Sequence, residues 1–245
     1  MQDNASRMRM IRDQLREQLF QGGLQPGEKL PAERQLSELF NVSRMTVKDA
    51  LAALEAEGLI FCEDRRGWFV AYPRLIYNPL SRMHFHRLVS EQKRKASTQV
   101  LKVASELASP ELMAVMALRE LTQIYRVQRC RYLDSRPVLL VENYLNSHYF
   151  PGILDDDLSQ SLTELYATRY GYQNRRSRFD VQPCAAPEHV ARALHLASGQ
   201  MVLKIIRVNY NQADQLIDCE WEYWRHDAVC VRIDSLDHGM SSRTL

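Results

Sequence analysis

Residues 26–70 constrain this chain more than any other stretch. They read Pro-Gly-Glu-Lys-Leu-Pro-Ala-Glu-Arg-Gln-Leu from Pro26, Asn-Val-Ser-Arg-Met-Thr-Val from Asn41, and Arg-Arg-Gly-Trp-Phe-Val from Arg65. Pro31 suits a first helical turn, where its missing N–H costs nothing. Leu36, Leu39 and Phe40 then fall on one helix face. Asn41 fits the left-handed residue that ends such a helix, and Ser43 is a good N-cap for the next. Val47, Ala50, Leu51 and Leu54 form the buried stripe of that second helix, and Gly58 stops it. Leu59-Ile60-Phe61 and Trp68-Phe69-Val70 read as short strands, with Glu63 to Gly67 as the loop of a hairpin.

Helix, tight turn, second helix and basic hairpin follow one another in the order of a DNA-reading module with a wing. The first residues of the second helix point away from its apolar stripe. Arg44 and Lys48 share that outer face, and arginine can pair bidentately with guanine or clamp a phosphate. The hydroxyls of Ser43 and Thr46 suit phosphate oxygens. Gly67 lets the wing backbone approach closely, and Arg65 and Arg66 suit a minor groove. Taken alone, Arg44 and Lys48 would be an ordinary solvated face. The ordered set makes DNA binding the stronger reading.

Residues 6–72 resemble the winged helix-turn-helix of the GntR family of bacterial transcription regulators. The resemblance rests on Leu24 to Leu36, Val42 to Val47, Ala50-Leu51, Leu54, Glu57-Gly58-Leu59, and Gly67 with Phe69-Val70. It implies DNA-contact roles for Arg34, Ser43, Arg44, Thr46, Lys48 and Gly67. Two positions depart from the family pattern: Ala32 stands where serine is common, and Trp68 where threonine is common.

The 245 residues leave room for about two domains, and 45% apolar content is enough for real cores. Net charge is only +2, and residues 1–75 hold eleven Lys and Arg against eleven Asp and Glu. Binding is therefore expected to depend on local placement and on dimerisation, not on a bulk positive field. The five cysteines include no C-x-x-C pair, which reads as reduced thiols in a cytoplasmic chain. No signal-peptide pattern and no membrane-length apolar run appear, so no membrane partner is expected.

The expected layout is a winged helix over 1–72, a linker over 73–79, a second domain over 80–235, and a fraying polar tail over 236–245. A first helix is expected from Ser6 to Gln21, with Met10, Ile11, Leu15, Leu19 and Phe20 as its apolar positions. Pro73 and Pro79 mark the linker. Beyond a connecting segment at 110–120, strands are expected at 123–133, 137–145 and 176–184. A final hairpin follows at 202–212 and 216–227, with one more strand at 229–233. Helices at 160–170 and 187–196 end near Gly171 and Gly199. The whole is α+β, with an antiparallel sheet and helices packed on it.

This second part resembles the UTRA effector domain of the HutC subfamily of GntR regulators, a fold shared with chorismate lyase. The matching residues are Arg129-Cys130-Arg131, Asp134 with Pro137, Glu142 to Leu145, Phe150-Pro151-Gly152, Ser161-Leu162 and Trp224-Arg225-His226-Asp227.

Alternation alone puts Arg129 and Arg131 on one strand face, where two guanidiniums favour an anion between them. Ser161 opens a helix whose N-terminus also attracts anions. The resemblance implies that Arg129, Arg131, Ser161 and Thr163 hold an effector's phosphate. It also implies contacts from Glu142, and from Asp218 and Trp224 at the organic end. Asp218, Glu220, Glu222 and Trp224 alternate onto one face, an acidic, aromatic-edged wall suited to an ammonium group.

The run Arg65 to Val70, with Pro73 to Pro79 and His84-Phe85-His86, resembles the branch that regulates phosphonate utilisation. That implies 2-aminoethylphosphonate or a breakdown product as effector. An amino-sugar phosphate, or a regulator of histidine catabolism, is the alternative. No cofactor or metal is expected, since His84 and His86 have only His226 or Asp227 as loosely placed companions. Paired acids in a closed pocket would suit a chorismate-lyase-like enzyme. The fused winged helix favours sensing, and the chain is expected to be a homodimeric repressor of an inverted-repeat operator, not an enzyme.

Overall fold

The computed structural model describes residues 2–81 and 83–234. The tail expected over 236–245 lies outside the described residues.

The N-terminal unit is built on three helices and a hairpin. Helix α1 spans Gln2–Phe20, α2 Glu33–Phe40 and α3 Arg44–Ala56. Strands β1 (Ile60–Glu63) and β2 (Gly67–Val70) pair antiparallel, with Glu63 opposite Gly67 at the tip. Ile11, Leu15, Leu36, Val47, Ala50, Leu51, Leu54, Ile60 and Val70 close one core. Not every apolar residue of the expected stripes joins it. Met10, Phe20 and Leu39 are exposed, because the helices turn only part of each stripe inward.

The segment expected as a linker contains a strand. Leu75–Tyr77 forms β3 and pairs in parallel with β10 (Val229–Val231), near the other end of the described chain. The Leu75 amide donates to the Ala228 carbonyl, and the Arg232 amide to that of Tyr77, both at 2.9 Å.

The second unit is a six-stranded antiparallel sheet in the order β4-β5-β6-β9-β8-β7. Its strands are β4 (Ala96–Leu107), β5 (Gln123–Leu133), β6 (Arg136–Asn146), β7 (Arg176–Ala185), β8 (Met201–Tyr210) and β9 (Leu216–Arg225). The β5–β6 turn is tight because Asp134 and Ser135 both take positive φ, 50° and 69°, as a two-residue hairpin turn requires. The Asp134 carboxylate is held by Arg94 at 2.7 Å and by the Lys95 amide at 2.9 Å.

Helices cover both sheet faces. Helices α5 (Pro110–Met116) and α7 (Glu188–Ala193) pack on one face against Ile124, Cys130, Leu140 and Tyr223. The other face carries α4 (Phe85–Glu91), β3 and β10 over Leu139, Val141, Ile205 and Trp224. Beside them sits α6 (Leu162–Tyr170), backed by Phe150 and Ile153. Among the described residues, no helix is long and apolar enough to cross a membrane.

Candidate functional site

The first surface is the outer face of α3. Ser43 caps it: the Thr46 amide donates to Ser43 Oγ at 3.2 Å, satisfying one of the free amides of a helix start. Asn41 sits at φ 50°, the left-handed position that ends α2. Arg44 and Lys48 are exposed, and no ion pair or hydrogen bond engages either among the described residues. Arg34 is exposed beside Glu38 at 3.4 Å.

Thr46 departs from the expectation. It is buried, and its hydroxyl is 2.9 Å from that of Ser43. In this conformation it braces the turn and offers no free hydroxyl to a phosphate.

At the wing tip, Gly67 has φ +99°, a conformation that side chains disfavour. The Arg65 side chain is almost fully exposed. Arg66 is instead bonded to Glu63 and lies over Phe69, 5.4 Å from the ring centroid. Trp68 is buried, and its indole N–H donates to Glu33 at 3.0 Å. The departure from threonine at this position thus ties the wing to the start of α2.

The second surface is a cavity of about 510 Å³ between α4, α6 and the sheet. Arg129, Arg131, Ser161, Thr163, Glu220 and Trp224 all line it, so the structure brings together most of the expected residues. Ser161 caps α6 by accepting from the Glu164 amide at 3.3 Å. Thr163 is exposed in the first turn of the same helix.

The two arginines differ. Arg129 is buried and largely committed. Its Nε and Nη2 donate to Asn143 Oδ1 at 3.2 and 2.8 Å, and Nη1 donates to the Gln160 carbonyl at 3.0 Å. It holds the chain that leads into α6. Burial, and then the like charge of Arg131, push its guanidinium down to about 9. Arg131 has Phe85 beneath it at 5.1 Å and no hydrogen-bond partner for Nε. A buried polar group without a protein partner is usually completed by a water, an ion or a ligand, or else stores strain.

Two expected effector contacts fall elsewhere. Glu142 projects from the opposite sheet face. It accepts from Arg126 at 2.5 Å, Gln128 at 3.1 Å and the Tyr144 hydroxyl at 3.2 Å. The reason is alternation: Arg129 stands opposite Val141 in the β5–β6 register, so Glu142 is one residue out of phase. Asp218 shares the cavity's face but lies beneath it, fully buried and bonded to Asn209. Burial, and then the charge of Glu220, hold its carboxyl well above the usual range.

Nor is the acidic wall free. Glu222 accepts from the Tyr77 hydroxyl at 3.2 Å and the Trp224 indole at 2.8 Å, and pairs with Arg207 at 3.2 Å. Glu220 is the less encumbered carboxylate.

The sequence reading missed Arg207. It stands on β8 opposite Glu220 and lines the same cavity. Its position in an alternating strand facing the acidic wall was the available signal. With it, three guanidiniums face two paired or partly paired carboxylates and a carboxyl that burial disfavours as an anion. The site favours an anionic guest.

The loosely placed histidines do not converge. His84 caps α4 through Nδ1 and reaches Glu164 at 3.3 Å, and His86 meets the Thr98 hydroxyl at 2.9 Å. His226 lies against the Met201 carbonyl, and Asp227 is bonded to Arg225. Burial, and then Arg131, lower the pKa of His86. No group of three metal-ligating side chains stands together among the described residues.

Comparison with known proteins identifies both parts of the chain. Residues 7–70 match the family described as bacterial regulatory proteins, gntR family, and residues 91–229 match the UTRA domain. The uncharacterized HTH-type transcriptional regulator YihL of Escherichia coli is 31% identical over 235 residues, covering 96% of this chain and all of YihL. The HTH-type transcriptional repressor NagR of Bacillus subtilis is 28% identical over 203 residues, covering 82% of this chain and 83% of NagR. The crystal structure of PhnF from Mycobacterium smegmatis shares the fold, with a TM-score of 0.65, 22% identity and coverage of 93% and 99%.

Proposed function

This chain belongs to the GntR family of transcriptional regulators and carries a UTRA domain, and on that premise we propose that it is a homodimeric repressor released from its operator by an anionic metabolite. The observation that carries the anion is Arg131. Its guanidinium lines a cavity that also receives the N-terminal turn of α6, and its Nε has no hydrogen-bond partner. A phosphoryl group offers the oxygens that both features lack.

Cavity size and charge narrow the class. A volume of about 510 Å³ is ample for a whole sugar phosphate. Two of the three acids proposed for an ammonium group are engaged: Asp218 is buried away, and Glu222 is paired with Arg207. A phosphorylated sugar therefore fits better than 2-aminoethylphosphonate. Glu220, which lines the cavity, favours the aminophosphonate or an amino-sugar phosphate as the second reading.

A thermal-shift series with glucose 6-phosphate, glucosamine 6-phosphate, 2-aminoethylphosphonate and inorganic phosphate tests this. A ligand of the native state raises the melting temperature. A rise with the sugar phosphates, lost in Arg131→Gln, is expected. No response to any of the four would remove the anionic reading. Incubation with the same compounds is expected to leave them unchanged, whereas turnover would make the pocket an enzyme's.

On the DNA side, Arg44 and Lys48 are assigned to the operator, with Arg34, Ser43, Arg65, Arg66 and Gly67 supporting them. One recognition helix covers only a few base pairs, so the operator is expected to be an inverted repeat read by a two-fold dimer.

A further inference from the structure

The segment between wing and sheet ends inside the effector cavity. Tyr77, the last residue of β3, is buried there, with its hydroxyl donating to Glu222 at 3.2 Å and accepting from Arg207. Its ring lies 5.3 Å from that of Trp224. Three side chains of the pocket wall thus hold one residue of the interdomain segment.

The same segment is held at its other end by the DNA-binding unit. The Ala71 amide donates to the Leu59 carbonyl at 2.9 Å. Tyr72 lies beside Phe61, with ring centroids 6.3 Å apart. Between these anchors, Pro73 takes a hydrogen bond from Arg94 at 2.8 Å, and β3 is zipped to β10. Only five residues lie between Ala71 and Tyr77. A displacement of Tyr77 has little slack in which to dissipate before it reaches the wing.

Arg207 is shared between two employers. Its Nη2 serves both Tyr77 and Glu222, while its Nε has no hydrogen-bond partner. An anion in the cavity competes for this guanidinium, because a phosphoryl oxygen is a stronger acceptor than a neutral phenol oxygen.

We propose that Tyr77 is the relay of this regulator: an anion that engages Arg207 draws the guanidinium from the Tyr77 hydroxyl and loosens β3 from β10, changing how the wing is held. The proposal rests on the anionic effector reading above. Arg207 is then a specificity residue of the pocket, and Tyr77 a positioning residue that acts through it. The ligand has differential affinity for the two arrangements because only one leaves Arg207 free to meet it.

The test uses the full chain, a duplex selected from random sequences by the parent protein, and glucose 6-phosphate, glucosamine 6-phosphate, 2-aminoethylphosphonate and inorganic phosphate as probes. The parent is expected to lose operator affinity by roughly 5- to 150-fold when a probe saturates it. Its amides at Leu75 and Arg232 should exchange faster at the same time. Tyr77→Phe is expected to bind that probe within about threefold of the parent, yet show less than a twofold change in operator affinity. Arg131→Gln should bind no probe and therefore show no probe-dependent change in operator affinity.

A Tyr77→Phe chain that binds the probe and still releases the operator like the parent overturns the relay and leaves the pocket standing. A Tyr77→Phe chain that no longer binds the probe also overturns it, since Tyr77 is then part of the binding surface. Failure of every probe to bind the parent overturns the anionic reading itself, and the relay with it.

Discussion

The guanidinium carbon of Arg136 lies 3.5 Å from the centroid of the Phe61 ring, so a side chain at the start of β6 is seated on the base of the wing. Arg136 is fixed from behind by Asp227, which also accepts from Arg225 Nε at 3.1 Å. Arg225 is fully buried and reaches across to the Cys62 carbonyl at 3.3 Å and the Leu194 carbonyl at 2.9 Å. Two arginines and one aspartate, all buried, therefore form the joint between the two units.

Removing the centre of this joint leaves two buried guanidiniums without their counter-ion. Asp227→Asn is expected to cost about 3–5 kcal/mol, as broken buried pairs do. Chemical denaturation followed by tryptophan fluorescence checks this. A loss below about 1 kcal/mol would mean the triad contributes like a surface pair.

The same aspartate sets a pH dependence. Burial alone would raise its pKa, but Arg225 and then Arg136 outweigh that and hold it down to about 2. An unfolded aspartate titrates near 3.9. Because the folded value is depressed, the stabilisation is fully present above about pH 4 and is lost as pH falls toward about 2. Urea midpoints measured across that window should drop more steeply for the parent than for Asp227→Asn.

Arg44→Ala separates base reading from phosphate clamping. If Arg44 reads a guanine, affinity for the operator falls by roughly 1–3 kcal/mol, and discrimination at one base pair disappears. If it clamps a phosphate, the loss is equal on every duplex. Titrations against the operator and a scrambled duplex distinguish the two, and an unchanged operator affinity refutes both.

The two arginines of β5 should not behave alike. Arg129 donates to Asn143 and to the Gln160 carbonyl from a buried position, so Arg129→Ala is expected to destabilise the fold by roughly 2–3 kcal/mol. Arg131→Ala should spare stability and operator binding while removing the thermal response to sugar phosphates. The reverse assignment of losses would exchange their roles.

Light scattering of the full chain at micromolar concentration is expected to report a dimer. A monomer that keeps full operator affinity would sink the inverted-repeat expectation.

The parts legible in sequence were those with a strong local pattern. The α3 stripe is buried at Val47, Ala50, Leu51 and Leu54, and β5 runs from Gln123 to Leu133 as expected. Two strands carry no such pattern. β4 is an edge strand with polar residues on both faces, so it lacks the apolar alternation that announces a half-buried strand. β3 has three residues between two prolines, and its partner lies at 229–231. Nothing local encodes that pairing.

The pocket is legible from the alternation of a single strand. Arg129 and Arg131 share a face as expected. The resemblance implies a role for Glu142 that strand parity denies, because Val141 is the residue opposite Arg129. Which acids were already occupied could not be read at all, since Tyr77 and Arg207 meet Glu222 from distant segments.

The bond between Trp68 and Glu33 has a consequence for the duplex. It joins the wing to α2, so the span from the start of α3 to the wing tip is set by the protein before any DNA arrives. A duplex that docks on both must match that span with its own groove width and curvature. Stretches that deform easily will do so at lower energy than stiff ones. The regulator's preference is therefore expected to extend to base pairs that no side chain touches.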